Sequence, residues 1–510
     1  MHVRVLGLQT PRVILVAILT MVMALPVAAW VSPPAARSGT AATVTPGLAP
    51  LSERRVVTGW IPYWGFPEGI ASVIDNSDLV AEVSPFWYRV TSKSQIRAQK
   101  DNFNAESVLV AGIAELHAAG IAALPSVTDE GFSAAEMSRL LASRDRRRAL
   151  VASIAAMVQR TGADGVDVDF ESMNFGGTRA QKRTVKRLYP VFLDQLRGKL
   201  NAQGAVLSVA VPARKSASDP YWEVFDYDAI GRSVDRARIM TYDYSTSSSK
   251  PGPIAPIDWV RQVAKYAATE FRRVPLSVGV PAYGQNWPIK VLSGRCPSGV
   301  GANEVASPTS AQALDLIDVY SAKKRWSDSA QEAHFDYERP YAVGGNDCVV
   351  LRRVWFGEGR SAQVRLELAQ RLGVQGIAVW RLGPEDPSLW KRSLSVAQAI
   401  EPAAARSTLT APRTVETGAT FTVVGRFSVA GTPVAAQPVA VQQRVPGRSW
   451  RTVAQVVTNS AGKAGYDVSA DRTRDWRMRL PGAWDWSTSL TPVKRVKVDT
   501  TATTAREVSP

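Results

Sequence analysis

Asp167, Asp169 and Glu171 stand two residues apart in the run Asp164-Gly-Val-Asp-Val-Asp-Phe-Glu171. In an extended strand, alternate side chains share a face. This spacing therefore puts three carboxyls on one side and Val166, Val168 and Phe170 on the other. Like charges one strand step apart, roughly 6–7 Å, repel, and the repulsion raises the pKa of at least one of them. A carboxylic acid kept neutral near pH 7 can protonate a leaving group. A calcium loop also alternates acids, but it needs a glycine at its sixth position and oxygen ligands through the twelfth. From Asp164 or Asp167 that register fails. A solvated edge strand would not carry Val, Val and Phe opposite the acids.

The elements that must hold these acids alternate along the chain. Strand-like runs fall at Val56–Tyr63, Val80–Tyr88, Ala122–Val127, the acidic run, Ala205–Pro212, Ala237–Tyr242, Pro275–Ala282 and Gly376–Trp380. Helical patterns separate most of them: Glu106–Ala119, Arg147–Thr161 and Arg179–Gln203, the last with a kink expected at Pro190. Eight strand–helix repeats over residues 55–402 predict a (β/α)8 TIM barrel. A doubly wound sheet would want a glycine-rich phosphate turn, and none is present. In a barrel the chemistry gathers at the C-terminal ends of the strands, where Glu171 falls.

Strands seven and eight are too far apart for one helix. Residues 286–356 read as a small α+β insertion, with a helix at Ser310–Lys323 and strands near His334–Tyr337 and Val349–Phe356. It holds the chain's two cysteines, Cys296 and Cys348, which in an exported protein form one disulfide. Two thiols and three scattered histidines (His2, His117, His334) make no zinc site. Neither a metal nor a cofactor is expected, and His117 reads as structural. Residues 403–500 change to short alternating runs split by turn residues, which predicts an all-β, immunoglobulin-like sandwich.

The ends and the charge bear on compartment. Residues 1–29 show a basic start, an apolar run from Val13 to Ala29 and a small-residue ending, the pattern of a cleaved signal peptide, with a retained anchor as the alternative. Residues 30–54 read as a flexible leader and 501–510 as a disordered tail. These features predict a secreted protein, extracellular or attached to a cell wall. Net charge is +16, and residues 403–510 carry 15 Lys/Arg against 7 Asp/Glu, a surplus of 8. A basic domain outside the cell suits anionic wall polymers. No nucleic-acid motif is present, and the chain is expected to act as a monomer.

Asp164–Glu171 resembles the DGxDxDxE signature of the family-18 glycoside hydrolases, the chitinase-like barrels. Met240-Thr-Tyr-Asp243 resembles the family's strand-six motif, and Trp380 matches the tryptophan that floors the subsite of the cleaved sugar. Trp380-Arg-Leu-Gly-Pro-Glu-Asp386 is similar to the branch of spore-cortex and cell-wall glucosaminidases. The Ser-x-Gly-Gly usual on strand three is replaced by Pro125-Ser-Val-Thr128. The resemblance implies substrate-assisted hydrolysis with retention, an exception to the two-carboxylate rule of retaining enzymes. Glu171 would be the acid and then the base. Asp169 would hold the acetamido N–H and share a proton with Asp167. Tyr242 would donate to the acetamido carbonyl, with Asp243 and Met240 beside it. Among aromatics near strand ends, Tyr283 and Trp87 are further candidates for contacting sugar.

The expected substrate is an N-acetylated polysaccharide cut at β-1,4 bonds next to N-acetylglucosamine, such as peptidoglycan or chitin. A non-catalytic glycan-binding or adhesion protein on the same barrel is the alternative, and endo-cleavage of N-glycans is a variant within the enzyme class. Binding relatives lose the terminal glutamate of the motif, which is present here as Glu171.

Overall fold

A computed structural model describes residues 54–99, 105–129, 131–343, 345–483 and 485–499. The expected signal peptide, the leader up to residue 53 and the tail at 501–510 lie outside the described residues.

Eight parallel strands close into a barrel. In chain order they are Val57–Pro62, Val80–Val90, a broken third strand (Ala122–Ala123 and Ser126–Thr128), Gly165–Asp169, Val206–Pro212, Arg236–Met240, Leu276–Pro281 and Gly376–Trp380. Closure comes from strand one pairing in parallel with both strand eight and strand two. Strand three breaks at Leu124-Pro125, and proline offers no N–H to a ladder. Outside the ring, Val166, Val168 and Phe170 are fully buried. Phe170 lies against Tyr189 and Phe192, with ring centroids 6.0 and 5.9 Å away, on the helix Arg179–Asn201. That helix is continuous through Pro190. A further helix, Ala134–Ala142, precedes Arg144–Thr161 and was not expected. It starts with a capping box in which Ser133 and Glu136 satisfy each other's backbone N–H groups.

The segment between strands seven and eight contains more sheet than its sequence suggested. Gly284–Gly294, Asn346–Phe356, Glu332–Val343 and Arg325–Ser327 form one antiparallel sheet in that order. The helix Ser310–Val319 covers it, burying Ala313 against Phe335, Tyr337, Val354 and Phe356. Cys296 and Cys348 are joined by a disulfide, as expected.

The C-terminal residues form two β-sheets. Ala405–Thr410, Thr420–Val429, Thr432–Pro433 and Lys463–Ser469 make one; Thr414–Glu416, Lys494–Asp499, Arg474–Leu480, Pro438–Arg444, Arg451–Val457 and Ser489–Leu490 make the other. Val423, Phe427, Val439, Val441, Trp476 and Met478 fill the space between them.

Candidate functional site

The acidic motif is split between three environments. Asp164, its first acid, faces away from the barrel lumen: its Oδ2 accepts from Ala123 N at 2.8 Å and lies 2.8 Å from His117 Nε2. His117 is structural, as its sequence context suggested. Asp167 and Asp169 are buried and share a face of strand four. Glu171 does not extend that face. The strand ends at Asp169, and Glu171 has φ −119° and ψ −40° at the start of a short turn, Ser172–Asn174. The expected row of three is a pair inside the strand with the third acid set over it by a turn.

Asp129 builds that turn. Its carboxyl accepts the backbone N–H groups of Glu171, Ser172 and Met173 at 2.8, 2.9 and 2.7 Å. Asp129 directly follows strand three, and the sequence reading passed over it. The signal available was an acid at a barrel strand's C-terminal end, next to Pro125-Ser-Val-Thr128. Burial lifts the Asp129 carboxyl to about 6 against the pull of these N–H groups.

Asp167 is surrounded by donors. Trp60 Nε1 and Ser126 Oγ donate to Oδ2 at 2.9 and 3.0 Å, and Ser208 Oγ donates to Oδ1 at 2.6 Å. Ser126, Asp167 and Ser208 lie side by side in the strand register, so one tier of the barrel makes these contacts. Below them, Arg238 Nη1 is 3.7 Å from Asp167 Oδ1, while Nη2 donates to Glu82 Oε1 at 3.1 Å. Trp60, Ser126 and Ser208 thus hold the Asp167 carboxyl in place beside Asp169, whose carboxyl Asp167 helps to raise. None of these donors could be identified from local sequence, since each is on a different strand.

Asp169 keeps a free atom. Its Oδ1 is buried with no hydrogen-bond partner among the described residues. Burial, then the charges of Glu171, Asp167 and Asp129, push this carboxyl well above the usual range, and Arg238 opposes them. Glu171 is lifted from 4.5 to about 7, first by burial, then by Asp129 and Asp243. An acid with that affinity is half-protonated near neutral pH, which suits general acid and base work.

The strand-six residues arrive as expected. Met240 packs with Trp60, Ala210 and Ala378 at the top of the lumen, and Tyr242, Phe86 and Trp380 lie against them. Asp243 has φ 61°, the left-handed region, which turns the chain away after Tyr242. The Tyr283 hydroxyl donates to Asp243, and the Tyr242 and Tyr283 rings meet edge-on at 6.2 Å. Burial, then the charges of Asp169 and Glu171, hold the Tyr242 phenol in its protonated donor form.

Trp87 does not belong to the site. It is fully buried outside the barrel and packs on Phe66 with centroids 4.8 Å apart. The lumen side of that strand is taken by Phe86, whose ring is 5.2 Å from Trp380. Neighbouring strand residues face opposite ways, so with Glu82, Ser84 and Phe86 turned inward Trp87 points outward. Trp64, half exposed, continues the aromatic row 6.3 Å from Phe86.

A buried acid pair under a protonatable glutamate, a tyrosine donor and an aromatic wall thus occupy one end of an eight-stranded barrel. Residues 90–385 match the model for glycosyl hydrolases family 18. The chain belongs to this family. As a family-18 barrel it is a chitinase-like glycoside hydrolase. It is 29% identical over 271 residues to the cortical fragment-lytic enzyme of Bacillus subtilis, covering 52% of this chain and 57% of that protein. The family-18 barrel also overlays two solved structures. The chitinase of Chromobacterium violaceum aligns with a TM-score of 0.55 at 23% identity, over 68% of this chain and 99% of that one. The spore cortex-lytic enzyme SleL of Bacillus cereus aligns with a TM-score of 0.55 at 22% identity, over 66% of this chain and 73% of that one. At these identities the two overlays speak for the fold.

Proposed function

We propose that this hydrolase is exported and cleaves β-1,4 bonds next to N-acetylglucosamine in a wall-type glycan, with retention and with the substrate's own acetamide as nucleophile. The observation that carries the proposal is Glu171, lifted to about 7, beside Asp169, whose buried Oδ1 has no hydrogen-bond partner among the described residues.

The steps follow from the positions. The acetamido carbonyl oxygen attacks C1 of the sugar over Trp380. The C1–O bond to the leaving sugar breaks, its electron pair stays on that oxygen, and Glu171 supplies the proton. The cationic oxazolinium that forms keeps its N–H on Asp169 Oδ1, and Tyr242 donates to its oxygen. Water then attacks C1 and gives a proton to the Glu171 carboxylate while the C1–acetamido bond breaks. The product has the configuration of the substrate. Asp243 with Tyr283 fixes the Tyr242 side of the pocket, and Met240 supplies its apolar floor. Trp64 and Phe86 extend the platform for neighbouring sugars.

Peptidoglycan is favoured over chitin because the cortical fragment-lytic enzyme is among the relatives. Export is supported by the apolar run Val13–Ala29 and by the Cys296–Cys348 disulfide. Anionic wall polymers are assigned to the C-terminal sheets, taken as an immunoglobulin-like domain of a monomeric chain. There Arg444 and Arg477 both lie on the Trp450 ring, at 4.6 and 4.2 Å from its centroid. The test is to incubate wild type and Glu171→Gln with peptidoglycan and with chitin oligomers and identify fragments by mass. Fragments ending in N-acetylglucosamine from wild type alone support the proposal. Equal release by both proteins refutes the role of Glu171, and release of nothing from any N-acetylated glycan refutes the reaction.

A further inference from the structure

Arg381 has a use that the reaction at Glu171 does not account for. It follows Trp380 and lies on the C-terminal rim, over the loop that leaves strand one. Its guanidinium carbon is 5.8 Å from the centroid of the Trp64 ring. Gly65 makes room for it: a Cβ at that position would stand 2.8 Å from Arg381 Nη1. Among the described residues no carboxyl comes within 4.0 Å of this guanidinium. The two nearby acids are Glu68 and Glu385. Glu385 is buried and occupied, accepting from Trp390 Nε1 at 2.9 Å and from Ser72 and the Gly383 N–H. Glu68 is exposed on the helix Phe66–Asp75. A half-buried, unpaired guanidinium laid on an exposed tryptophan combines a fork for a carboxylate with a stacking face for a sugar.

Its direction from the reacting centre is set by the barrel. Glu171 follows strand four, whereas Trp380 and Trp64 follow strands eight and one, on the opposite arc of the ring. Glu171 protonates the departing oxygen, so the leaving sugar lies on its side. The retained arm of the glycan then runs from Trp380 past Phe86 to Trp64, through centroid steps of 5.2 and 6.3 Å. With two acids nearby, one guanidinium suits a single carboxylate better than a dianion.

We propose that Arg381 and Trp64 form a subsite for a carboxylate-bearing sugar on the retained side of the cleaved bond, making the enzyme selective for acidic glycan strands over neutral ones. This rests on the reading of Glu171 as the acid and deepens it. The carboxylate could be carried on the sugar's own ether-linked acid or on an attached peptide. Binding is measured by calorimetry in the Glu171→Gln background, so that strands stay intact. The probes are peptide-stripped strands of alternating N-acetylglucosamine and N-acetylmuramic acid, the same strands with that carboxyl amidated, peptide-bearing strands, and chitin oligomers. The stripped strands are expected to bind about tenfold tighter than the amidated ones, a margin of one charge-assisted hydrogen bond at a half-exposed site. Added Arg381→Gln should erase the ratio, and Gly65→Ala, which keeps the charge but displaces the guanidinium, should reduce it. Preference for peptide-bearing over stripped strands would place the carboxylate on the peptide. A ratio near one before substitution, or one that survives Arg381→Gln, overturns the subsite while chitin-oligomer binding still supports the glycosidase. Failure to bind any N-acetylated glycan overturns both.

Discussion

Replacing Glu171 by glutamine should make the protein more stable, by a margin that grows as pH rises from 4.5 and is complete above about 7. The carboxyl ionises near 4.5 in an unfolded chain and is held to about 7 in the folded one. At 1.36 kcal/mol per tenfold change in proton affinity, that difference corresponds to about 3.4 kcal/mol as an upper bound. The sign follows from proton counting. Below pH 4.5 both states hold the proton, and Glu171 adds no pH dependence. Between 4.5 and 7 the folded state binds more protons, so stability falls as pH rises, and the loss is complete above 7. Glutamine cannot ionise, so the variant escapes this loss. It also removes the charge that, after burial, contributes most to the raised Asp169 carboxyl, which acts in the same direction. Urea unfolding of both proteins at pH 5 and pH 8, followed by tryptophan fluorescence, gives the difference of differences. About 0.8 kcal/mol of the loss is already present at pH 5, so the expected value is at most about 2.5 kcal/mol in favour of the variant at pH 8 relative to pH 5. A gap between variant and wild type that is the same at both pH values would refute the claim that Glu171 is held protonated by its surroundings.

Other outcomes follow from the same geometry. Turnover, as kcat/KM, should fall as pH rises through about 7, because the first step needs Glu171 protonated; a profile flat from pH 6 to 8.5 would contradict this. Asp129→Asn should move that fall to lower pH, since the Asp129 charge helps to raise Glu171. Asp129→Ala should lower kcat far more than it changes KM, because three N–H groups of the turn lose their acceptor, at about 1–3 kcal/mol for the buried Met173 N–H and less for the part-buried pair at Glu171 and Ser172. A thiazoline mimic of the oxazolinium should inhibit competitively, and no inhibition would argue against acetamide participation. Replacing Cys296 and Cys348 by serine should cost about 4 kcal/mol in the chain-entropy account for a separation of 52 residues, read as earlier urea unfolding of the segment between strands seven and eight.

Much of the architecture was readable because one period dominated each segment. Val166, Val168 and Phe170 alternate with acids, and that pattern located strand four and its buried outer face. The site was legible where chemistry was concentrated in one stretch, as at Asp167–Glu171 and Met240–Asp243. It was not legible where the fold gathers residues from distant strands. Trp60, Ser126, Ser208 and Arg238 meet Asp167 only because the barrel closes. Asp129 acts on backbone N–H groups 42 to 44 residues away, which no local pattern reports. Trp87 was misplaced because its place near a strand end does not say which face it takes; Glu82, Ser84 and Phe86 alternate inward, and that alternation turns Trp87 outward. The strand Gly284–Gly294 was missed because six of its eleven residues are exposed, so it lacks the apolar alternation of the barrel strands.

The claim at the centre of the account is that the sugar's own acetamide forms the cation that Asp169, Glu171 and Tyr242 are arranged to hold. It is tested most directly by a matched pair of oligomers that differ only in whether the sugar bound over Trp380 carries an N-acetyl group or a free amine. The account predicts cleavage of the acetylated member and no measurable cleavage at the free-amine position. Comparable rates for the two would contradict it.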